Sequence, residues 1–209
     1  MSGNGVRLVA REGIPVLLVL LLLASVSYVT AGIFVFLLVM LVFALALYQF
    51  RDPKCELPSA PLAILSPASG IIESITEVED YRLSRRAQKV RIRMSPWDTH
   101  CLRCPTEGKV MKQWSSNENN TEFDLECAYW LQTDEGDDLV LSLGMGKLAI
   151  YRKMSIVPGE RAGHGQRCGF IYLAAVFDLY FPENARVKVE VGEKVSAGTS
   201  IIGEYVHTA

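Results

Sequence analysis

The densest cluster of groups able to do chemistry is "MSPWDTHCLRCP", Met94–Pro105. Asp98 and His100 are two residues apart, so on a strand they face the same way. A carboxylate beside an imidazole can orient it for acid–base work. The simpler reading is a turn in which Asp98 caps backbone amides and His100 is polar surface. Cys101 and Cys104 form a C-x-x-C. A zinc site would want a second pair at similar spacing, and a thioredoxin-like site would want a βαβ context. Neither is present, so small, half-buried cysteines and no metal are expected. Asp178 interrupts the apolar run "YLAAVFDLYFP", Tyr172–Pro182. It is either buried with a partner or turned to solvent by strand alternation. Asn119-Asn120-Thr121 matches a glycosylation sequon, a pattern common by chance and without meaning on a cytoplasmic domain.

The elements that must position these groups fall into two parts. From Ile14 to Phe50 there is no charged side chain. One straight helix of that length would be roughly 55 Å long, against a hydrocarbon core of about 30 Å. The run softens at Ser25, Ser27, Thr30 and Gly32. A transmembrane helical hairpin turning near Tyr28–Gly32 is expected, with one long tilted helix as the alternative. Arg7 and Arg11 flank one end, Arg51 and Lys54 the other. A hairpin returns both basic flanks to one side, which the positive-inside rule makes cytoplasmic. The expected location is the inner membrane, with the remaining domain facing the cytoplasm.

Arg51–Leu62, with Pro53, Pro58 and Pro61, reads as a linker. Residues 1–50 are thus expected to be the anchor, 51–62 the linker and 63–209 a mainly β domain. Candidate strands are Ala63–Ser66, Gly70–Ile75, Val90–Met94, Lys109–Trp114, Phe123–Trp130, Asp138–Leu143 and Leu148–Ile156. "YLAAVFDLYFP" reads as one buried strand. Val157–Gly169 and Val189–Gly203 echo each other: a strand, a Gly-Glu turn, a short step, then Gly and another strand. Such turns resemble those of barrel-sandwich hybrid folds. No lysine sits in a Met-Lys-Met setting, so a lipoyl or biotin carrier is not expected.

The chain has 209 residues and a formal net charge of −2. That lacks the basic excess of a nucleic-acid binder. The five cysteines, an odd number without a disulfide-like spacing, favour a reducing compartment.

In this order the pieces resemble the short, membrane-anchored phosphatidylserine decarboxylases. "REGIP" at Arg11–Pro15 precedes the hairpin and "FRDP" at Phe50–Pro53 follows it. "ILSPASGII", Ile64–Ile72, is similar to the family's S-P-A-D-G segment. Arg91–Val110 is similar to its M-S-P-x-D-x-H-x-x-R-x-P-x-x-G segment, and "NEN" at Asn117–Asn119 falls where the family has an N-E element. Gly165–Pro182 is similar, without a gap, to G-Q-R-x-G-x-I-R-F-G-S-R-V-D-V-Y-x-P, and Val187–Ile202 to the closing stretch.

The resemblance implies a proenzyme that cuts itself before the serine of a Gly-Ser pair. That serine becomes a pyruvoyl group, which forms a Schiff base with phosphatidylserine and acts as an electron sink for loss of carbon dioxide. The product is phosphatidylethanolamine, and no cofactor beyond the self-derived pyruvoyl is needed. An Asp and a His of the family assist the cleavage. Residue by residue, Ala174 stands at the Gly, Ala175 at the Ser, and Ser69 at the Asp of S-P-A-D-G. His100, Asp98 and Arg103 match their family positions and are the expected substrate-binding residues. Alanine has no hydroxyl, and no register shift of one or two residues supplies a serine; Ser155 and Ser196 are the nearest. The expectation is a degenerate member with no catalytic residues and no pyruvoyl. It would bind membrane phospholipid, with phosphatidylserine the natural candidate, or partner and regulate another membrane protein such as an active relative; a homo-oligomer is also expected. The alternative is a working decarboxylase that uses an unrecognised cleavage site or a partner chain.

Overall fold

A computed structural model describes residues 9–30, 32–52, 55–60, 62–116, 125–145, 151–172 and 175–207. The chain forms two compact units that divide between Lys54 and Cys55.

The first unit is a helical hairpin. Helices α1 (Ile14–Thr30) and α2 (Ile33–Gln49) are apolar on every side, as suits a lipid environment. Ser25, Ser27 and Thr30 turn their hydroxyls back onto the carbonyls of Leu21, Ala24 and Val26, so these three polar groups are satisfied within the helix. Gly32, at φ +80°, opens the second helix, and the Tyr28 and Phe36 rings meet edge to face across the turn at 5.5 Å. At the base the Ala10 amide donates to the Phe50 carbonyl at 2.8 Å, and Val9 bridges Arg51. This closure excludes the single long helix. Gly13 of "REGIP" lies against the Phe50 ring of "FRDP" with no room for a Cβ. Arg11–Thr30 is long and apolar enough to cross a membrane; α2 is shorter, at 17 residues.

The second unit is β throughout. Its strands are β1 (Ala63–Leu65), β2 (Gly70–Asp80), β3 (Arg85–Arg93), β4 (Cys101–Arg103), β5 (Gly108–Ser116), β6 (Leu125–Gln132) and β7 (Asp138–Met145). After these come β8 (Tyr151–Met154), β9 (Arg161–Ala162), β10 (Arg167–Tyr172), β11 (Ala175–Pro182), β12 (Arg186–Val187), β13 (Lys194–Val195) and β14 (Ile201–Glu204). An eight-stranded antiparallel sheet runs β13-β2-β3-β11-β7-β6-β5-β9, with sheets β4-β10-β8 and β1-β14-β12 beside it. Both edges of the large sheet are two-residue strands, which leaves little template for edge pairing. Val90 and Ile92 of β3, with Phe177, Leu179 and Phe181 of β11, point into the main core. A smaller cluster, Ala87, Ala128, Val140 and Tyr180, covers the opposite face together with Trp114 and Trp130. The central strand β11 is therefore buried on both faces.

Three sequence readings need correction. "YLAAVFDLYFP" serves two sheets rather than one: Tyr172 ends β10, which pairs with β4 and β8, whereas Ala175 begins β11, which pairs with β3 and β7. Strand β2 runs on to Asp80, past a bulge between Ile72 and Ser74, because it forms a long hairpin with β3. Cys101 and Cys104 are buried rather than half-buried. Ala174, the sequon, the "NEN" element and Leu148 lie outside the described residues.

The internal echo is physical. Gly159 and Gly192 take φ +93° and +90°, and their amides donate to Val110 and Ile72 at 2.7 and 2.8 Å. The Val110 and Ile72 amides donate back to the Glu160 and Glu193 carbonyls, both at 2.9 Å. Further along, the Gly165 and Gly198 amides donate to Cys104 and Ser66. The two halves of the domain thus repeat one turn in one bonding scheme.

Candidate functional site

The loop after β3 is fixed at both ends to the strands that bracket residues 173 and 174. At its start the Met94 amide donates to the Ala175 carbonyl at 3.0 Å. At its end the Ile171 amide donates to the His100 carbonyl, also at 3.0 Å. Within it, Asp98 Oδ2 accepts from the Ser95 amide at 2.9 Å, and the Asp98 amide donates to the Ser95 carbonyl at 3.0 Å. This is a side-chain-capped turn of the kind aspartate favours. Asp98 and His100 therefore do not share a strand face. Asp98 holds the turn, and Lys194 Nζ stands 3.9 Å from its Oδ1 with a side chain 75% exposed, so that ion pair is weak. His100 follows the turn and is fully buried, 6.1 Å from the Phe170 ring between centroids, rather than polar surface.

Ser69 reaches the same loop from the other side. It lies just before β2, where Gly70 passes so close to the Arg93 carbonyl that a Cβ would collide with it. The segment is held by the Arg103 amide, which donates to the Pro67 carbonyl at 2.9 Å, and by the Leu65 amide, which donates to the Pro105 carbonyl at 2.8 Å. Ser69 Oγ and Thr99 Oγ1 share a hydrogen bond of 2.7 Å, and Ser69 Oγ accepts from the Ala197 amide at 3.1 Å. Both hydroxyls are buried. Arg103 lies at the far end of β4, its register partner is Arg167, and its stem packs close to Gly198.

The fold thus gathers Ser69, the adjacent Thr99 and His100, and Ala175 from three separate places in the chain. Sequence reasoning named all of these but Thr99. Its only sequence signal is its place before His100, because a threonine's role as hydroxyl partner depends on which segment the fold brings opposite. Gly169 has a steric reason here: a Cβ would stand 2.7 Å from Met154 Sδ and 2.8 Å from the Lys153 carbonyl, so β8 and β10 pair closely only around glycine.

Chemically, Ala175 offers a methyl group, 2% exposed, at the start of β11. It has neither a hydroxyl to attack a carbonyl nor an oxygen to become one, so a pyruvoyl group does not fit this residue. The Ser69 hydroxyl is not a base at neutral pH. Ser155, one of the nearest serines, sits beside Cys168 rather than β11, its amide donating to the Cys168 carbonyl at 2.8 Å. Among the described residues no group of three His, Cys, Asp or Glu side chains could hold a metal ion. His164 bonds the Ala63 carbonyl and His207 bonds Asp137, so neither joins the site.

Comparison with known proteins gives one answer. The phosphatidylserine decarboxylase family model matches residues 42–203. The chain is 34% identical to the phosphatidylserine decarboxylase proenzyme of Nitrosomonas eutropha, over 95% of each chain. It is 31% identical to that of Nitrosomonas europaea, again over 95% of each. For the proenzyme of Aromatoleum aromaticum the identity is 32%, over 94% of this chain and 95% of the relative. No solved structure matches. The order of the motifs, their convergence on one loop and the end-to-end similarity lead to one statement: the chain belongs to the phosphatidylserine decarboxylase family.

Proposed function

We propose that this chain is a membrane-bound family member that neither processes itself nor decarboxylates, and acts instead by binding phospholipid or regulating a partner membrane protein. The family works in phospholipid metabolism and uses a self-derived pyruvoyl group, with no external cofactor. The observation that carries the proposal is Ala175 at the position of the self-cleaving serine, with Ser69 at that of the assisting acid. Self-cleavage needs a nucleophilic hydroxyl and a base to activate it. The residues at these two positions supply neither.

The packing around these positions supports the reading. The Ser69–Thr99 contact holds the loop by a neutral pair where relatives carry an acid. The apolar hairpin, with Arg11 and Arg51 at its closed base, supports an anchor whose basic flanks lie together. On that basis the inner membrane and a cytoplasmic domain are part of the proposal. Phosphatidylserine is the proposed lipid, by relation to the family.

Carbon dioxide release from carboxyl-labelled phosphatidylserine by the purified full chain is the test. None is expected, and neither hydroxylamine nor borohydride should alter the protein's mass. Release that those reagents abolish would establish a working decarboxylase and refute the proposal.

A further inference from the structure

Two buried thiols sit against the candidate site and take no part in the function proposed above. Cys104 directly follows β4, whose strand leads out of the His100 loop. Cys168 is in β10, whose strand leads into residues 173 and 174. The strands pair at Arg103–Arg167 and Leu102–Gly169, and the register slips between Arg167 and Gly169, leaving Cys168 as the extra residue of a bulge. The Cys104 amide donates to the Gln166 carbonyl at 2.8 Å and its carbonyl accepts from Gly165 at 3.0 Å, so the backbone is fixed on both sides of the pair. Both residues are 0% exposed and belong to the main core.

The sequence pairs Cys104 with Cys101 as a C-x-x-C, but the fold does not. Cys101 is three residues back along an extended chain, so the two side chains leave opposite faces. Cys127 is on β6, where the Gln113 amide donates to its sulfur at 3.6 Å. Cys55 is partly exposed, with its thiol 3.8 Å from the Ala197 carbonyl.

We infer that Cys104 and Cys168 form a redox-modifiable dithiol that closes to a disulfide and clamps β4 to β10 beside the candidate site. The oxidant is a low-molecular-weight disulfide. Cys104, as thiolate, attacks one of its sulfurs and expels a small thiolate, leaving a mixed disulfide. Cys168 then attacks the Cys104 sulfur and expels the second small thiolate. Two protein thiols are oxidised, the small disulfide is reduced to two thiols, and the two protons pass to the expelled thiolates. The hydrogen bond to Cys104, followed by burial, holds the Cys168 thiol well above its usual range. Closure in the folded protein is therefore slow and needs local opening, and the closed bond is shielded in turn.

The test uses the full chain in detergent, incubated with excess oxidised glutathione a few degrees below its unfolding midpoint until thiol content is constant. The protein is then unfolded in dodecyl sulfate, alkylated and measured by intact mass and peptide map. Three alkylated cysteines and a Cys104–Cys168 peptide, at least ten-fold above any other cross-linked pair, are expected. Cys104→Ser and Cys168→Ser should each abolish that peptide, while Cys101→Ser leaves it unchanged. Five alkylated cysteines, or a predominant link through Cys101, would overturn the inference. Neither outcome bears on whether the chain decarboxylates, so this inference and the functional proposal fail separately.

Discussion

Asp178 is the acid in an otherwise apolar strand, and removing it gives the sharpest test of the packing described above. Its Oδ1 accepts from Arg91 Nε at 2.7 Å and its Oδ2 from Arg91 Nη2 at 2.9 Å. Lys89 Nζ stands 2.9 Å from the same Oδ2. The two cations are two residues apart on β3, hence on one face, and their side chains are only 19% exposed against 11% for Asp178. Asp178→Ala would leave two neighbouring positive charges without their carboxylate in a largely dry setting. Removing one partner of a buried pair costs about 3–5 kcal/mol. Because both cations keep some access to water, about 2–4 kcal/mol is the better figure here. For a protein of this size that corresponds to a midpoint lowered by roughly 5–15 °C. Tryptophan fluorescence reads it cleanly, because Trp97, Trp114 and Trp130 all lie in the β unit. Asp178→Asn, which keeps acceptor capacity but loses the charge, should fall between. A midpoint for Asp178→Ala within about 2 °C of the parent would refute the pairing as a stabilising element.

Two other perturbations follow from the same packing. Ser69→Ala and Thr99→Val should each destabilise by about 1 kcal/mol. Because they share one hydrogen bond, the double variant should fall short of the sum by about 0.5–1 kcal/mol. Strict additivity in denaturant titrations would deny the contact. At alkaline pH, burial lowers the Lys89 pKa, but the hydrogen bond and charge of Asp178 outweigh it and the net shift is upward. Burial also raises the Tyr205 phenol, above its ordinary 10.0. A group whose folded pKa is raised contributes fully below its unfolded pKa and loses that contribution as pH rises through the folded value. Stability should therefore decline above about pH 10. The decline should be shallower in Lys89→Met and in Tyr205→Phe, and parallel curves for all three proteins would contradict it.

Much of this architecture is written in local pattern. The hairpin is legible because 37 residues without charge cannot be one bilayer-length helix, and Gly32 marks where the chain turns. The alternation of Val90 and Ile92 with Arg91 and Arg93 marks β3 and its inward face. The paired Gly-Glu turns betray the internal repeat, since each needs a positive φ at glycine.

What local pattern misses depends on long-range placement. Ala175–Pro182 shows no polar alternation to mark its sheet because β11 is buried on both faces. Asp178 could not be assigned until Lys89 and Arg91 came into register with β11. Thr99 gained its meaning from Ser69, 30 positions away. The C-x-x-C points to Cys101, whereas the cysteine that the fold brings across to the β4 end is Cys168, by a bulged pairing that no spacing rule encodes. The resemblance singles out Ser69 and Ala175 in the sequence; the loop that joins their surroundings is visible only in the fold.

The central claim is that this family member does not cut itself. The intact mass of the purified chain, taken under denaturing conditions without prior reduction, tests it directly. One unbroken polypeptide of 209 residues is predicted. Two chains divided before residue 175, the smaller beginning with a pyruvoyl group, would contradict it.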